Sequence, residues 1–217
     1  ELIFTYTLGS DILKDTVQDI NLDAIYVSNS GSNLNDGRET SRFKTIQKAI
    51  DEADTGDTIY VAGGNYAYAR IINKELILRG EDPSNRPSIT GHDTTRCLEV
   101  VGPGVQLIDL KLRNGYAPVS QNWNRGGLLY TGFDPITVIN CEFKDGLALQ
   151  GGDYYAGGGK VTFINCQFLE NTKGLNDIHY RDIFHVDNGL WMKMYNSFVD
   201  AKGFGRVFGP GNTYKLY

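Results

Sequence analysis

The hydrophobic pattern of this chain repeats along its central part. The segment ITVINCEFKDG returns almost unchanged within GGGKVTFINCQFLEN, so that Phe143 matches Phe168. Looser copies place Leu112 before this pair and Phe198 after it, which gives spacings of 31, 25 and 30 residues. A constant strand-turn-strand unit with variable loops is typical of a solenoid, in which each coil buries its apolar face against its neighbours. Because the unit is extended and rich in β-branched and aromatic residues, we predict an all-β parallel β-helix.

One repeat predicts how successive coils stack. Glycines 157–159 allow a sharp bend, and Asn165 lies at a corner between two strands. Equivalent residues of neighbouring coils lie about 4.8 Å apart. We therefore expect Asn140 and Asn165 to form an amide ladder and Phe143 and Phe168 to stack inside. Cys141 and Cys166 would stack as well, as small core residues or, alternatively, as a disulfide.

The N-terminal part of the chain reads as an arm and a cap. Residues 1–8 alternate as a strand would, and residues 11–22 suggest a weak helix or a loop. Four apolar residues then recur at helical spacing, namely Phe43, Ile46, Ile50 and Ala53. We expect a short helix with Ser41 as its N-cap and Gly56 as its stop, which would close the open end of the solenoid. The chain is thus predicted to be one domain, with an arm and cap over residues 1–56 and coils over residues 57–217.

Composition and charge narrow the function classes. The net charge of −5, without clustered basic residues, argues against a nucleic-acid partner. The 3 cysteines show neither metal-site spacing nor a dense disulfide framework. There is no apolar run long enough to span a membrane and no visible signal peptide. Because the chain begins at Glu1 rather than Met, we expect processing or trimming, which leaves secretion open.

A longer motif points to a known group of proteins. The stretch YVSNSGSNLNDGRETSRFKTIQKAIDEADTGDTIYVAGGNY resembles the N-terminal opening of extracellular right-handed parallel β-helix proteins of the pectate lyase-like superfamily. The later copies resemble the coils of the same group and the repeats of bacterial polymorphic outer-membrane β-helices. The resemblance covers residues 25–171 and implies a single-stranded right-handed β-helix; the predicted strands give about six to seven coils. It also implies a carbohydrate ligand and a secreted or cell-surface location, and we expect a monomer.

Three polar loops interrupt the repeat at the same phase. They are YAPVSQNWNRG, LALQGGDYYAG and TKGLNDIHYRDI, and equal phase in a solenoid predicts that they stack into a wall beside one sheet. Planar aromatic groups beside amides, carboxylates and arginines suit sugar rings and their carboxylates. The predicted substrate-binding residues are Trp123, Asn124, Arg125, Asp153, Tyr154, Tyr155 and, on the same face, Lys160.

The densest cluster is NDIHYRDIFHVD, which suggests β-elimination on a uronic-acid polymer. Such a lyase needs a cation for the substrate carboxylate, a base for the C5 proton and an acid for the leaving oxygen. Arg181 or Arg125 could bind the carboxylate bidentately. The predicted proton-transfer residues are His179, Tyr180, His185 and Lys193, with Tyr180 or His179 as the acid. Strand alternation predicts that His185 points outward if Phe184 and Val186 point inward, and that Lys193 also points outward.

Calcium is an optional cofactor in this hypothesis. Asp153, Asp177, Asp182 and Asp187 could converge to bind it and bridge to a uronate, although no compact Asp-x-Asp loop is present. The paired-aspartate and Gly-His-Gly pattern of β-helix pectin hydrolases is absent, as is the Trp-Ile-Asp-His motif of common pectate lyases. No family catalytic residue is therefore transferred by position. A polysaccharide lyase of pectate or alginate type is the first hypothesis, a non-catalytic carbohydrate-binding or adhesin module the second, and a β-helix glycoside hydrolase the third.

Overall fold

The computed structural model describes residues 4–8, 11–15, 24–117, 125–169, 182–186, 191–200, 206–208 and 213–216. Within these residues the chain winds through three parallel sheets, which confirms the predicted all-β parallel β-helix. Near the N-terminus, strand β1 (Phe4–Leu8) pairs antiparallel with β2 (Asp11–Asp15). The predicted N-terminal strand is therefore confirmed, while the helix or loop predicted for residues 11–22 is wrong at β2.

Sheet 1 contains eight strands in the described part of the chain. They are β3 (Ala24–Val27), β4 (Thr58–Val61), β7 (Ile77–Gly80), β10 (Gln106–Ile108), β13 (Ile136–Ile139), β16 (Val161–Ile164), β19 (Trp191–Tyr195) and β22 (Thr213–Leu216). Sheet 2 contains β5 (Asn65–Tyr66), β8 (Ser88–Thr90), β11 (Lys111–Arg113), β14 (Glu142–Lys144), β17 (Gln167–Phe168) and β20 (Phe198–Val199).

Sheet 3 contains β6 (Ala69–Ile72), β9 (Leu98–Val101), β12 (Leu129–Thr131), β15 (Tyr154–Ala156), β18 (Asp182–Val186) and β21 (Arg206–Phe208). The chain visits sheets 1, 2 and 3 in that order, and each coil then returns to sheet 1. A short 3-10 helix, Pro83–Asn85, lies between β7 and β8. Each coil therefore has three connections: from sheet 1 to sheet 2, from sheet 2 to sheet 3, and from sheet 3 to sheet 1 of the next coil.

The repeated apolar residues fill the space between the three sheets, with one exception. Phe198, predicted to follow Phe168 in the core, is 57% exposed, because Val199 rather than Phe198 pairs with Phe168 in the register of β17 and β20; that prediction is wrong by one residue. Phe143 stacks on Phe168 with ring centroids 4.5 Å apart and an interplanar angle of 12°, as the repeat predicts. Leu112 pairs with Phe143 in the register of β11 and β14, so the looser copy also follows the same stack. Cys141 and Cys166 are buried free thiols, which excludes the disulfide alternative in this structure. Burial raises the pKa of Cys166 to about 11.

The turn from sheet 1 to sheet 2 is held by a column of left-handed residues. Asp109, Asn140, Asn165 and Asn196 have φ values of 57°, 52°, 53° and 46°. Aspartate and asparagine tolerate this conformation better than most residues do, because their short polar side chains bond locally. Asn140 Nδ2 donates to Asp109 Oδ1, and Asn196 Nδ2 donates to Asn165 Oδ1 over 2.7 Å. The corner predicted from the Asn-Cys pair is therefore confirmed.

Helix α1 (Ile46–Glu52) covers the N-terminal end of the coils with buried Ile46, Ala49 and Ile50. Its N-cap is Thr45, whose side chain accepts from the backbone N–H of Lys48, so the prediction of Ser41 is wrong. Ser41 lies in a bridge with Arg38 instead. The Gln47 side chain accepts from the N–H of Arg70 and donates to its carbonyl, so it pairs with the edge of β6 as a neighbouring strand would.

The connection from sheet 2 to sheet 3 varies in length from coil to coil. All three predicted polar loops fall in this connection, because β11, β14 and β17 precede them and β12, β15 and β18 follow. The bridges Tyr116 to Leu147 and Arg125 to Gln150 show that the first two loops run parallel to each other. The second predicted loop is shorter than expected, since its last residues form β15. The described parts of the first two loops border the outer face of sheet 3, where Tyr116 and Ala117 line a groove and Arg125 lies over Tyr155.

Candidate functional site

The outer face of sheet 3 carries a ladder of polar and aromatic side chains. Alternation turns every second residue of each strand outward, and the sheet register aligns five of these outward residues from β6 to β18, namely Arg70, Glu99, Tyr130, Tyr155 and His185. Their inward neighbours on both sides are buried. We call this row the outer ladder. It places five potential ligand-binding groups in a line along the axis of the solenoid.

An open groove lies over the first three steps of the outer ladder. It has a volume of about 640 Å³ and is lined by Tyr68, Arg70, Thr94, Thr95, Arg96, Glu99, Val101, Tyr116, Ala117 and Tyr130. A smaller depression of about 280 Å³ shares Tyr68 and Arg70 with this groove and continues to Gln47 and Asp51 of α1. The groove is thus polar, elongated along the axis and bordered on one side by the sheet 2 to sheet 3 loops.

Two arginines converge on the one carboxylate that lines this groove. Arg70 Nε lies 3.0 Å from Glu99 Oε1, and an Arg96 amino nitrogen (Nη1) lies 2.9 Å from Glu99 Oε2. The Tyr68 hydroxyl donates to Glu99 Oε2 over 3.2 Å. Burial, together with the negative charge of Glu99, raises the pKa of Tyr68 to about 12, so its phenol stays protonated at neutral pH. The charged groups of the lining therefore carry a net positive charge on a chain whose net charge is −5.

The next steps of the outer ladder form an aromatic stack. Tyr130 stacks on Tyr155 at 5.4 Å between ring centroids and 13° between planes, and Tyr155 stacks on His185 at 5.5 Å and 12°. The Arg96 guanidinium lies 4.9 Å from the Tyr130 centroid, and the Arg125 guanidinium lies 4.9 Å from that of Tyr155. Each arginine is thus fixed against an aromatic face, which orients its planar fork for a carboxylate.

The structure brings only some of the sequence-predicted site residues to this face. His185 points outward on sheet 3 as alternation predicts, but it is 5% exposed and stacked on Tyr155, which is 0% exposed. Arg125 lies beside them and donates from Nε to Gln150 Oε1 over 2.9 Å. Tyr154 points into the core, where its hydroxyl lies 2.9 Å from Thr131 Oγ1. It therefore cannot contact a substrate, because alternation sends it inward wherever Tyr155 points outward.

Three other predicted residues lie away from the outer ladder. Lys160 is exposed in the turn that leads from sheet 3 to sheet 1, not on the face of sheet 3. Lys193 is exposed on β19 of sheet 1, opposite Thr162 in register. Asp153 is 0% exposed, and neither carboxylate oxygen has a hydrogen-bond partner. Burial raises the pKa of Asp153 well above its usual range, although the nearby backbone N–H of Gly146 partly opposes the shift; the charge of Asp145 raises the pKa further.

The remaining predicted residues lie outside the described part of the chain. These are Trp123, Asn124, His179, Tyr180 and Arg181, with Asp177 and Asp187 of the calcium hypothesis. The side chain of Asp182 also falls outside the description. Among the residues that the structure describes, no group of three histidine, cysteine or carboxylate side chains could hold a metal. Calcium therefore stays a prediction.

Sequence reasoning missed most of the groove. Tyr68, Arg70, Arg96, Glu99 and Tyr130 lie in or next to strands rather than in the long polar loops. A signal was present, since Arg70, Glu99 and Tyr130 each stand between two inward residues in the first, second and third strand of the same sheet. Recognising this signal requires assigning each strand to its sheet, and the repeat gives no assignment for the strands before its copy at Leu112.

Comparison with known proteins supports the fold. No protein-family model matches the chain, and no curated protein matches it. Among solved structures, a pectin methylesterase from Erwinia chrysanthemi is 18% identical with a TM-score of 0.52, over 79% of this chain and 54% of that one. A pectin methylesterase mutant in complex with a hexasaccharide is 18% identical with a TM-score of 0.50, over 78% and 55%. A rhamnogalacturonan lyase is 14% identical with a TM-score of 0.50, over 89% and 61%.

These matches confirm the right-handed parallel β-helix that the sequence resemblance implies. The chain spans a little over half the length of the solved proteins that it matches. In the described part of the chain, no helix is long and apolar enough to cross a membrane.

Proposed function

We propose that the chain is a secreted or cell-surface protein that binds an acidic, pectic-type polysaccharide along the outer face of sheet 3 and cleaves it by β-elimination. The observation that carries this proposal is the groove in which Arg70 and Arg96 converge beside the face of Tyr130. The names of the solved proteins with the same fold add support, because they are pectin methylesterases and a rhamnogalacturonan lyase. Pectic polymers carry the uronate groups that such a groove would attract.

The groove supplies binding and charge neutralisation. An arginine fork pairs with a carboxylate through two parallel hydrogen bonds, and the partly exposed ring of Tyr130, which packs against Tyr155 and Arg96, offers its remaining apolar surface to a sugar ring. A uronate that approaches Arg96 competes with Glu99 for the guanidinium. Neutralising the substrate carboxylate lowers the pKa of the adjacent C5 proton, which is the first requirement of elimination.

The proton-transfer groups are assigned from chemistry and position. The protonated phenol of Tyr68 lines the groove and can supply a proton to the departing O4 oxygen. The base that removes the C5 proton is proposed among His179 and Tyr180, which belong by sequence to the connection leading into β18 of the same sheet, and Arg181 beside them is proposed as a further cation for the substrate carboxylate. Lys193 is not proposed for this step, because β19 belongs to sheet 1.

The non-catalytic carbohydrate-binding or adhesin module is the alternative. This alternative is favoured by the ion pairs of Glu99, whose two oxygens lie within 3.0 Å of Arg70 and Arg96. Among the described residues that line the groove, no carboxylate is therefore left without an ion pair to act as a base. The same observation places a glycoside hydrolase third. Hydrolysis needs two carboxylates roughly 5 to 10 Å apart, and one carboxylate lines the groove.

The test is incubation with polygalacturonate, alginate and glucuronate-containing polymers, with calcium or with chelator. Elimination gives an unsaturated product with new ultraviolet absorbance, and hydrolysis gives reducing ends without it. Binding of the same polymers is measured by calorimetry. We expect Arg96→Ala to weaken binding by at least tenfold, since a hydrogen bond to a charged group contributes about 1.5–3 kcal/mol.

Arg79→Ala is the matched control, because Arg79 is a half-exposed arginine on sheet 1 that pairs with Asp109. If the polymers bind but give neither new absorbance nor reducing ends, the non-catalytic carbohydrate-binding module is supported and the lyase is refuted. Absence of both binding and products across the panel would overturn the proposal.

A further inference from the structure

Among the residues that the structure describes, the groove over the outer ladder ends at Tyr130. Tyr130 is partly exposed at the third step, whereas Tyr155 is 0% and His185 is 5% exposed at the fourth and fifth steps. All three rings belong to one continuous stack on the outside of sheet 3. The ladder residue is therefore partly exposed in one coil (Tyr130) and fully buried in the next coil (Tyr155), about 4.8 Å away.

Arg125 and Gln150 form the described part of this cover. The Arg125 guanidinium lies 4.9 Å from the Tyr155 centroid and is held there by its hydrogen bond to Gln150 Oε1. The backbones of these two residues form a parallel bridge, so one loop supports the other. An Arg96 amino nitrogen (Nη2) also donates to the Arg125 carbonyl over 3.1 Å, which ties the cover to the arginine of the open groove.

The opposite end of the groove continues instead. Beyond Arg70, the depression that reaches Gln47 and Asp51 extends the same surface toward α1. The Arg70 side chain is 53% exposed there. A linear polymer that lies along the outer ladder can therefore leave the groove past Arg70, whereas beyond Tyr130 the described residue Arg125 lies over the next step of the ladder.

We propose that this groove recognises the end of a polyuronate chain, with the terminal sugar against Tyr130 and the wall formed by Arg125 and Gln150. This inference rests on the proposed function, because it assigns the mode of binding at the same site. A groove open at both ends would bind internal segments, and several protein molecules could then occupy one polymer. A groove closed at one end binds once per chain.

The experiment is the stoichiometry of binding to size-fractionated polygalacturonate, measured by calorimetry at a temperature low enough to suppress turnover. We expect one protein per polymer chain in short, medium and long fractions alike. Bound protein that increases in proportion to chain length would overturn chain-end recognition and leave the proposed function standing. Absence of binding to every fraction would overturn both.

A second measurement tests the cover formed by Arg125 and Gln150. Gln150→Ala removes the acceptor that holds Arg125 over Tyr155, so we expect stoichiometry on long fractions to rise above one per chain as the groove extends to the fourth step. Arg79→Ala should keep one per chain. If Gln150→Ala binds long fractions one per chain while Tyr155 becomes accessible to a collisional fluorescence quencher, the cover does not set the stoichiometry and the inference fails.

Discussion

Asp153 offers the sharpest test of the fold, because its carboxyl group is buried without a partner. Its side chain is 0% exposed, and both oxygens lack hydrogen bonds. It packs so closely against Gly146 that a Cβ there would lie 2.5 Å from Oδ1. Burial raises the pKa of Asp153 well above its ordinary value; the nearby backbone N–H of Gly146 opposes this shift in part, and the charge of Asp145 adds a smaller increase. The folded protein therefore holds this group in its neutral form.

The sign of the pH dependence follows from this raised pKa. Below about pH 4 the carboxyl is protonated in both the folded and the unfolded chain, so it adds no pH dependence. Above that pH the unfolded chain loses the proton while the folded chain retains it. The free energy of unfolding then falls by about 1.4 kcal/mol for each pH unit, until the pH reaches the folded-state pKa.

Asp153→Asn removes this titration with almost no change of shape. The amide is also a buried polar group, so near pH 4 we expect the variant to match the parent to within about 1–2 kcal/mol. As the pH rises above this point we expect it to gain stability relative to the parent, by about 1.4 kcal/mol for each pH unit up to the folded-state pKa of Asp153.

The assay is urea unfolding across this pH range, with Asp54→Asn as a control at an exposed aspartate. The control should follow the parent at every pH. If Asp153→Asn is less stable than the parent at neutral pH, the carboxyl is ionised and partnered in the folded state. If the stability difference does not change with pH, the titration assigned to Asp153 is absent.

The remaining predictions concern the groove and the turns. Glu99→Gln should strengthen polygalacturonate binding several-fold and steepen its salt dependence, because Arg70 and Arg96 lose the negative charge that competes with the ligand. Calorimetry at two salt concentrations measures both effects. Weaker binding would show that Glu99 itself contacts the sugar. Asn140→Ala should cost about 1–2 kcal/mol more in urea unfolding than Asn140→Gly, because only alanine is strained at a φ of 52°. Equal costs would mean that the bond to Asp109, which both variants lose, accounts for the whole effect.

The fold could be predicted from sequence because the core repeats and the corners repeat with it. Phe143 and Phe168 occupy one column, and so do Asn140 and Asn165, since each coil meets the same interior at the same phase. The N-cap could not be chosen as reliably. Both Ser41 and Thr45 are good capping residues, and only the backbone path shows that the helix begins after Thr45.

The site was harder to predict because all three sheets share the same alternation. Alternation correctly turns both His185 and Lys193 outward, but it cannot tell that they lie on different sheets. Tyr154 and Tyr155 are adjacent and chemically alike, so only the register with Leu129 and Tyr130 decides which one is buried in the core. The outer ladder itself does not repeat in sequence, because each step carries a different residue type.

The two kinds of corner in this solenoid have different consequences for sequence change. After β10, β13, β16 and β19 the turn from sheet 1 to sheet 2 always has two residues, and the first of them is one of the left-handed residues Asp109, Asn140, Asn165 and Asn196. The connection from sheet 2 to sheet 3 carries nearly all of the variation in coil length. An insertion there leaves every core column in register, whereas one added residue at the short corner would turn the next strand inside out. Descendants of this chain can therefore acquire new loops around the groove without any change in the packing of the core beneath it.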